Sequence, residues 1–505
     1  MTKKWFQIGL VSIFLLSVAL RFWGLGRFNT LVFDEVYYAK FGNNYLNHVP
    51  FFDGHPPLGK YMIAAGIWLS SHVPFWQDTV KNGLTGSLLS PWNYRWINAL
   101  SGSFIPLIIA GIAYQISYRR SFALLAGLFT ACDGIFLVES RYALINIYIV
   151  LFGLLGQWFF LLALANQKQR RSVYLILAGI AFGASVSTKW NGLFFLLGIY
   201  LIWIIGWIWQ LLIQATPQTT DVIDDLSASP TNNSSITSIS FWQSTDQNLS
   251  SLQKLTEINI WQILLFLGII PLAVYSLVWI PHLQLDTRYG FIEVHKEILG
   301  FHERLGGNTA KVHPYCAAWY KWPLITRPMA YYYQTAQSIT DPLPVLGPAL
   351  PSGAGKVIYD VHAMGNPFLW WFGVAAIVFL IWMLVLEFVI PWVKQKRFSV
   401  PARPSVDTWI ALYLVLNYAT NLVPWMKVTR CAFIYHYMTA VVFAFLAIAW
   451  FVDQCLHSYY RELRAVGVTI SFLILAAFVF WMPIYLGLPL SPFDYKVRMW
   501  FSSWI

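Results

Sequence analysis

Charge is scarce in this sequence. Only 11% of its 505 residues are Asp, Glu, Lys or Arg, and 58% are hydrophobic, whereas roughly a quarter of the residues in an ordinary soluble domain are charged. This scarcity excludes a water-soluble globular protein. The 26 Trp, 27 Tyr and 37 Phe also exclude a disordered chain, because so much apolar surface does not stay solvated. The composition indicates an integral membrane protein that crosses the bilayer several times.

Cysteine is scarce as well. The chain has four cysteines, and none lies in a CxxC pair: Cys132, Cys316, Cys431 and Cys455. This spacing predicts neither a structural zinc site nor a disulfide framework. The 33 Lys and Arg exceed the 22 Asp and Glu, but they form no basic stripe that suggests nucleic acid. In a membrane protein such residues first indicate topology and contacts with lipid headgroups.

Eleven apolar runs have about the 20 residues that a helix needs to cross the hydrocarbon core. Their centres lie near residues 16, 104, 130, 154, 180, 202, 270, 379, 416, 441 and 476. The first run ends without a small-residue cleavage site, so we expect a retained helix rather than a signal peptide. Lys and Arg concentrate in alternate short loops, at 119–120, 168–171, 394–397 and 461–464.

This asymmetry predicts a cytoplasmic N-terminus, because short cytoplasmic loops carry the excess of basic residues. The expected fold class is all-α: a polytopic bundle of about 11 transmembrane helices in the plasma membrane, forming one membrane-embedded domain over 1–505. Residues 214–258 are polar and low in complexity, which predicts a flexible cytoplasmic linker. Two large loops, 26–92 and 282–367, fall on the outer side and hold most His, Pro and acidic residues. We therefore expect an extracytoplasmic active site.

The first outer loop carries paired carboxylates, Asp34 and Glu35, followed by a Pro-stiffened segment with Asp53, His55 and Lys60. Such a set suits a general base and its supporting groups. An alternative is that Asp34 only caps a loop helix and Glu35 is solvated. The loop has no diagnostic metal spacing, although a divalent cation bound by carboxylate and imidazole groups stays possible.

Basic residues recur at the predicted outer ends of the spans. Arg141 and Lys189 occupy outward turns, Arg430 begins the tenth predicted helix, and His436 lies about one and a half turns deeper. Ionisable groups at membrane depth are costly and usually face a polar interior. These four residues therefore predict a cationic pocket for a lipid-linked phosphate. The alternatives are headgroup contact for Arg141, Lys189 and Arg21, and helix packing for His436.

The motifs of the two outer loops resemble those of the protein O-mannosyltransferase family, especially its bacterial members. The first-loop match joins Phe33-Asp34-Glu35 to Phe52-Asp53-Gly54-His55-Pro56-Pro57-Leu58-Gly59-Lys60. Further matches follow in family order along nearly the whole chain: Ser140-Arg141-Tyr142, Lys189-Trp190-Asn191-Gly192, His313-Pro314-Tyr315, Trp322-Pro323, Arg327-Pro328, Gly365-Asn366-Pro367, and Arg430 with His436-Tyr437.

The resemblance implies a C-type glycosyltransferase fold and inverting transfer of mannose from a polyprenyl-phosphate donor to Ser or Thr hydroxyls of secreted proteins. By position, Asp34 would be the catalytic base, Glu35 its neighbour in the acceptor or donor site, and Arg141 a phosphate contact. Arg21 matches a family arginine near the first-loop motif. The chain departs from the family at Asn146, where an acidic residue is frequent, and it lacks the sugar-binding domain that eukaryotic members carry between the seventh and eighth helices.

Two other functions stay open from the sequence. The same donor and residues would serve transfer to a glycolipid or an envelope polymer. A flippase or transporter of lipid-linked sugars would instead place its charges along a path through the bundle and often shows internal repeats. No repeat is visible and the charges gather at one face, which favours the enzyme. The acceptor, the prenyl chain and the oligomeric state are not predicted.

Overall fold

The computed structural model describes residues 1–73, 80–215, 251–307, 311–336, 345, 355–396, 400–401 and 404–505. Most of the predicted linker 214–258 lies outside these residues. The helices of the first half are α1 Lys3–Phe22, α2 Glu35–Leu46, α3 Leu58–His72, α4 Pro91–Ser117, α5 Arg120–Ala131, α6 Gly134–Arg141, α7 Asn146–Ala165, α8 Lys168–Thr188 and α9 Leu193–Ala215.

The described residues of the second half contain ten more α-helices and two strands. The helices are α10 Ser251–Lys254, α11 Ile260–Gln262, α12 Ile270–Leu285, α13 Phe291–Arg304, α14 Pro367–Leu384, α15 Ile390–Gln395, α16 Val406–Leu422, α17 Met438–Leu456, α18 Arg461–Leu486 and α19 Pro492–Arg498. The strands β1 Met329–Ala336 and β2 Val357–Ala363 form an antiparallel pair. This small sheet lies within the predicted second outer loop, and the rest of the described fold is mostly helical, as predicted.

Nine helices in the described ranges are long and apolar enough to cross a membrane, and the bent pair α5 and α6 makes a tenth if it is one span. The pairs α11–α12 and α14–α15 each continue through a π-helical segment as one span. The predicted run near residue 416 corresponds to α16, which has 17 residues, so the count of eleven stays a prediction. Helix α17 is buried over most of its length and α1 over little of it, which puts α17 in the centre of the bundle.

The break between α5 and α6 bends the chain by 59°. Asp133 occupies the break and accepts hydrogen bonds from the backbone N–H of Phe136 at 3.1 Å and Asn366 at 3.0 Å, and from the Trp370 indole at 2.8 Å. A buried carboxylate needs such donors because it has left water. The bend therefore makes Arg141 the last residue of a short inner helix, not part of a tight turn between two spans as the sequence predicts.

Two further local predictions need correction. Arg430 does not begin a helix: it pairs in a short bridge with Gly307, and α17 starts only at Met438 after a 3₁₀ segment over Ile434–Tyr437. Cys316 and Cys431 form a disulfide with their Cα atoms 5.2 Å apart. The sequence gives no sign of this bond because 115 residues separate the two cysteines. The disulfide joins the second outer loop to the segment that carries Arg430.

Candidate active site

Asp34 stands at the start of α2, immediately after an unusual backbone conformation. Phe33 has a φ of 53°, in the left-handed region that bulky residues rarely adopt. Its ring stacks on Tyr331 of β1 with the centroids 4.1 Å apart and an interplanar angle of 14°. The Asp34 side chain makes no capping hydrogen bond with α2. The capping alternative therefore fails, and the carboxylate is left to face a cavity.

That cavity, the Asp34 cavity, has a volume of about 570 Å³. It collects residues from α2, the first outer loop, the α8–α9 turn, α13 and the segment before α17. The sequence-predicted site residues that line it are Asp34, Asp53, His55, Lys189, Arg430 and His436. The fold thus brings six of the ten predicted site residues together, from positions as far apart as Asp34 and His436.

Lys189 points into the cavity from the extended residue that ends α8. It is 6% exposed, which argues against contact with lipid headgroups. Its ammonium group donates to the side-chain oxygen of Asn146 at 3.2 Å and lies 5.2 Å from the centre of the Tyr435 ring. Arg430 lines the same cavity and donates one guanidinium hydrogen bond to the Cys431 carbonyl at 2.9 Å. Two cationic side chains, those of Lys189 and Arg430, therefore line the same cavity as Asp34.

The surroundings of the cavity shift the pKa values of Asp34 and Lys189 towards neutral pH. Burial raises the pKa of Asp34 to about 7, with the charge of Lys189 opposing the rise and Asp53 adding to it. Burial and then the positive charge of Arg430 lower the pKa of Lys189 to about 8, against the opposing attraction of the carboxylates of Asp34, Glu139 and Asp53. A base with a pKa near the working pH combines availability with proton affinity, which suits Asp34 to general-base chemistry.

The other first-loop residues support the cavity wall. Lys60 is buried, pairs with the Asp53 carboxylate, and also donates to the His55 carbonyl at 2.7 Å. Burial, and then the charges of Lys189 and His302, lower the pKa of His55 well below its usual value, so its imidazole is neutral at pH 7. This wall adds hydrogen-bonding groups and little net charge.

Glu35 does not line the cavity. Its carboxylate is fully buried and pairs with the Arg95 guanidinium at 2.7 and 2.8 Å, while the backbone N–H groups of Val32 and Ala143 also donate to it at 2.8 Å. The alternative that Glu35 is solvated is therefore wrong. Its partners also remove it from any cation site, and no group of three or more His, Cys, Asp or Glu is placed to hold a metal ion in the described part of the chain.

Arg21 and Arg141 also lie away from the cavity. The Arg141 guanidinium donates to the carbonyls that end α1, those of Leu20 at 2.9 Å and Trp23 at 2.7 Å among them. Arg21 donates to the side chain of Ser17 at 2.7 Å. Both arginines are buried, so neither contacts headgroups. Cations stabilise helix C-termini, and Arg141 holds the end of α1 where the first outer loop begins.

His436 borders the cavity through a packed aromatic cluster. Its Nδ1 lies 3.2 Å from the backbone nitrogen of Phe433, and its ring stacks on Trp322 at 5.9 Å and packs edge-on against Trp425 at 4.6 Å. The packing alternative therefore describes most of its contacts, although the residue also lines the cavity. His436 therefore contributes a tightly packed ring to this wall.

A second cavity, the apolar cavity, adjoins the first and has a volume of about 310 Å³. Four residues line both cavities and form the wall between them: His55, Lys189, His302 and Arg430. The remaining lining is mostly apolar, with Trp190, Phe194, Leu299, Trp425 and Val428. The arrangement therefore has a charged junction with a carboxylate-bearing space, lined by polar and aromatic residues, on one side and a mostly apolar space without a carboxylate on the other.

Sequence reasoning missed four residues that build this site. His302 reaches the cavity from the amphipathic helix α13 and bonds the Gly54 carbonyl at 2.9 Å. Arg95 orders the first outer loop by pairing with Glu35. Glu139 lies behind Lys189, with Asn146 between them. Tyr331 stacks on Phe33 and donates a hydrogen bond to Glu139. Arg95 and Glu139 carried a usable signal, since charges inside apolar runs are rare and functional.

Comparison with known proteins places the chain in a family. Residues 11–285 match the family model described as dolichyl-phosphate-mannose-protein mannosyltransferase, and residues 287–504 match the C-terminal four-transmembrane region of protein O-mannosyltransferase. The chain belongs to the protein O-mannosyltransferase family. The polyprenol-phosphate-mannose–protein mannosyltransferase of Mycolicibacterium smegmatis is 23% identical over 97% of this chain and 91% of its own. The Corynebacterium glutamicum protein of the same description is 21% identical over 89% of this chain and 81% of its own.

The fold of this mannosyltransferase-family chain also has a solved counterpart. The S. cerevisiae protein O-mannosyltransferase Pmt1–Pmt2 complex bound to the sugar donor matches with a TM-score of 0.75 at 15% identity, covering 100% of this chain and 93% of that one. These findings confirm the predicted family and fold class. They also confirm that the chain is a multi-pass membrane glycosyltransferase.

Proposed function

We propose that this protein transfers mannose, with inversion, from a polyprenyl-phosphate-linked donor to Ser or Thr hydroxyls of secreted proteins at the outer face of the plasma membrane. The observation that carries the proposal is the charged junction between the two cavities, with Asp34 on its polar side. Lys189 and Arg430 supply two cations where a phosphate must sit. The relatives named for polyprenol-phosphate-mannose support the donor's identity.

In this mechanism the donor spans the junction. Its phosphate lies between Lys189 and Arg430, its prenyl chain leaves through the apolar cavity, and its mannose extends towards Asp34. Apolar lining favours the hydrocarbon, and a cationic junction favours the phosphate. The acceptor hydroxyl then enters the Asp34 cavity from outside.

The chemical step exchanges one C–O bond for another. Asp34 accepts the proton of the acceptor hydroxyl as its oxygen attacks the anomeric carbon, and the bond from that carbon to the phosphate oxygen breaks with its electron pair going to the phosphate. Lys189 and Arg430 stabilise the growing negative charge on the phosphate. Attack opposite the leaving group inverts the anomeric configuration.

The cysteines support an extracytoplasmic site. Disulfides form and persist in oxidising compartments, and Cys431 of the disulfide adjoins Arg430 of the cavity. Cys455 is free and lies near the other end of α17, where the predicted cytoplasmic loop with Arg461 and Arg464 follows. The distribution agrees with the topology that the basic loops predict.

The decisive experiment is an assay of the purified protein in vesicles with polyprenyl-phosphate-mannose. A peptide with Ser or Thr should gain one hexose by mass spectrometry, and the same peptide with Ala at those positions should gain none. Transfer to a lipid or polymer acceptor but to no peptide would favour the first alternative function. Translocation of the donor without transfer would favour the flippase.

A further inference from the structure

A carboxylate with no role in the mechanism lies directly behind the site. Glu139, near the end of α6, is 0% exposed and lines neither cavity. The phenol of Tyr331 donates a hydrogen bond to it, and the side-chain amide nitrogen of Asn146 lies 3.3 Å from both of its oxygens. Burying a carboxylate is costly unless its charge is used or compensated.

Asn146 connects this carboxylate to the cavity. Its amide nitrogen faces Glu139, and its amide oxygen accepts the hydrogen bond from Lys189 at 3.2 Å. An amide has a donor end and an acceptor end, and only this orientation satisfies both neighbours. The three side chains form one chain of hydrogen bonds, the Glu139 relay, which runs from carboxylate through amide to ammonium.

We propose that Glu139 is a positioning residue that holds Lys189, through Asn146, in the charged form and in the place that the donor phosphate requires. The inference rests on the proposed function, in which Lys189 contacts that phosphate. Glu139 itself touches neither substrate. The negative charge of Glu139 lies one bridging amide away from Lys189. It therefore offsets the cost of burying the Lys189 ammonium group in the cavity wall.

The charges around Lys189 determine in which direction its pKa moves when the Glu139 charge is removed. Carboxylates favour the protonated ammonium and cations disfavour it. The charged and titratable groups that face Lys189 from the elements packed around it are Asp34, Asp53, His55, Glu139, His302, Arg430, Tyr435 and His436. Removing the Glu139 charge therefore lowers the pKa of Lys189 from about 8 towards neutrality, so that Lys189 loses its proton at a lower pH.

The test is the pH profile of kcat/KM for polyprenyl-phosphate-mannose with the full-length protein in vesicles. We expect Glu139→Gln to move the alkaline limb down by about 1 pH unit, since a nearby opposite charge shifts a pKa by about 1 to 3 units. Glu257→Gln is the matched control: it removes a carboxylate that pairs with Arg171 on the predicted cytoplasmic side and should leave the limb in place.

Rescue separates positioning from simple packing. Glu139→Gln combined with Asn146→Asp returns one carboxylate to the same chain of hydrogen bonds, so the alkaline limb should return to the wild-type pH or above it. Asn146→Leu should move the limb down as Glu139→Gln does, and it tests the relay independently if the Glu139 variant does not fold. A lower rate in Glu139→Gln with an unmoved limb overturns the relay.

Lys189→Met distinguishes failure of the relay from failure of the proposed function. If Lys189→Met loses donor-dependent activity while Glu139→Gln leaves the limb unmoved, the phosphate contact stands and the relay alone is wrong. If Lys189→Met keeps wild-type kcat/KM, the phosphate contact of the proposed function fails, and the relay fails with it.

Discussion

In the proposed mechanism Asp34 and Lys189 act in opposite protonation states, so we expect the activity to be sensitive to pH in both directions. In that mechanism Asp34 needs a deprotonated carboxylate, which is lost below its pKa of about 7, and Lys189 needs a charged ammonium group, which is lost above its pKa of about 8. We expect a bell-shaped profile of kcat/KM between these values. Lys189→Arg keeps its charge at all these pH values, so its alkaline limb should disappear while its acid limb remains. A retained alkaline limb would assign that limb to another group.

The sharpest single substitution is Asp34→Asn. It keeps the shape of the side chain but removes the proton acceptor, and general-base assistance contributes roughly 100- to 10,000-fold. Turnover should fall by that order, while binding of the donor in a lipid-binding assay stays close to wild type. Asp494→Asn, in the exposed first turn of α19 on the predicted outer face, is the control. Wild-type turnover in Asp34→Asn would mean that another group is the base.

Glu35→Gln should act mainly through stability. The buried pair with Arg95 anchors the loop just before Asp34, and breaking a buried ion pair costs about 3–5 kcal/mol. We expect a lower unfolding temperature in detergent, with a partial loss of turnover that is smaller than that of Asp34→Asn. Unchanged melting together with abolished turnover would contradict this and restore Glu35 to a direct role.

At the scale of elements, hydropathy predicts where helices lie but not where they bend or end. The sequence located the apolar runs because bilayer thickness fixes their length. It misplaced Arg141 because the 59° bend at Asp133 depends on two donors at the start of α14, Asn366 and Trp370, that are distant in sequence. It assigned Arg430 to a helix because apolar residues follow it, although three residues of extended chain and a 3₁₀ segment intervene.

The disulfide should stabilise the element pair that it joins. It links the second outer loop to the strand-like segment of Arg430, and loss of a native disulfide costs roughly 2–5 kcal/mol in small domains. We expect Cys316→Ser and treatment with a reductant to lower the unfolding temperature and weaken donor binding together. Cys455→Ala should melt like the wild type and keep its sensitivity to the reductant. Equal stability with and without the reductant would contradict this prediction.

For the molecule as a whole, the basic loops predict a fixed orientation. A reporter inserted within 214–258 should read cytoplasmic, and one within 282–367 should read extracytoplasmic. A thiol-reactive reagent that cannot cross the membrane should label reporter cysteines only in the second insertion. The opposite pattern would place Asp34 on the cytoplasmic side and overturn the proposed access of secreted acceptors.

The composition of the site was predictable, but its arrangement was only partly so. Asp34, Lys189 and Arg430 stood out because charge is rare in this chain, and the topology assigned them to one face. Glu35 and Arg141 stood out for the same reason, yet the structure pairs them with Arg95 and with the end of α1. A sequence shows which charged residues lie at membrane depth and therefore need a structural or functional role. Only three-dimensional contacts distinguish the residues that stabilise the fold from those that line the cavity.

The shared wall between the two cavities has a practical consequence for inhibitor chemistry. Under the proposed mechanism, a molecule that imitates both substrates at once needs a fixed order of parts: an apolar tail for the space beside Trp190 and Trp425, an anion at Lys189 and Arg430, and a polar head that reaches Asp34. The tail and head cannot exchange places, because only one side of the wall carries a carboxylate. Compounds built in that order should compete with donor and acceptor together, whereas compounds with the tail alone should compete with the donor only.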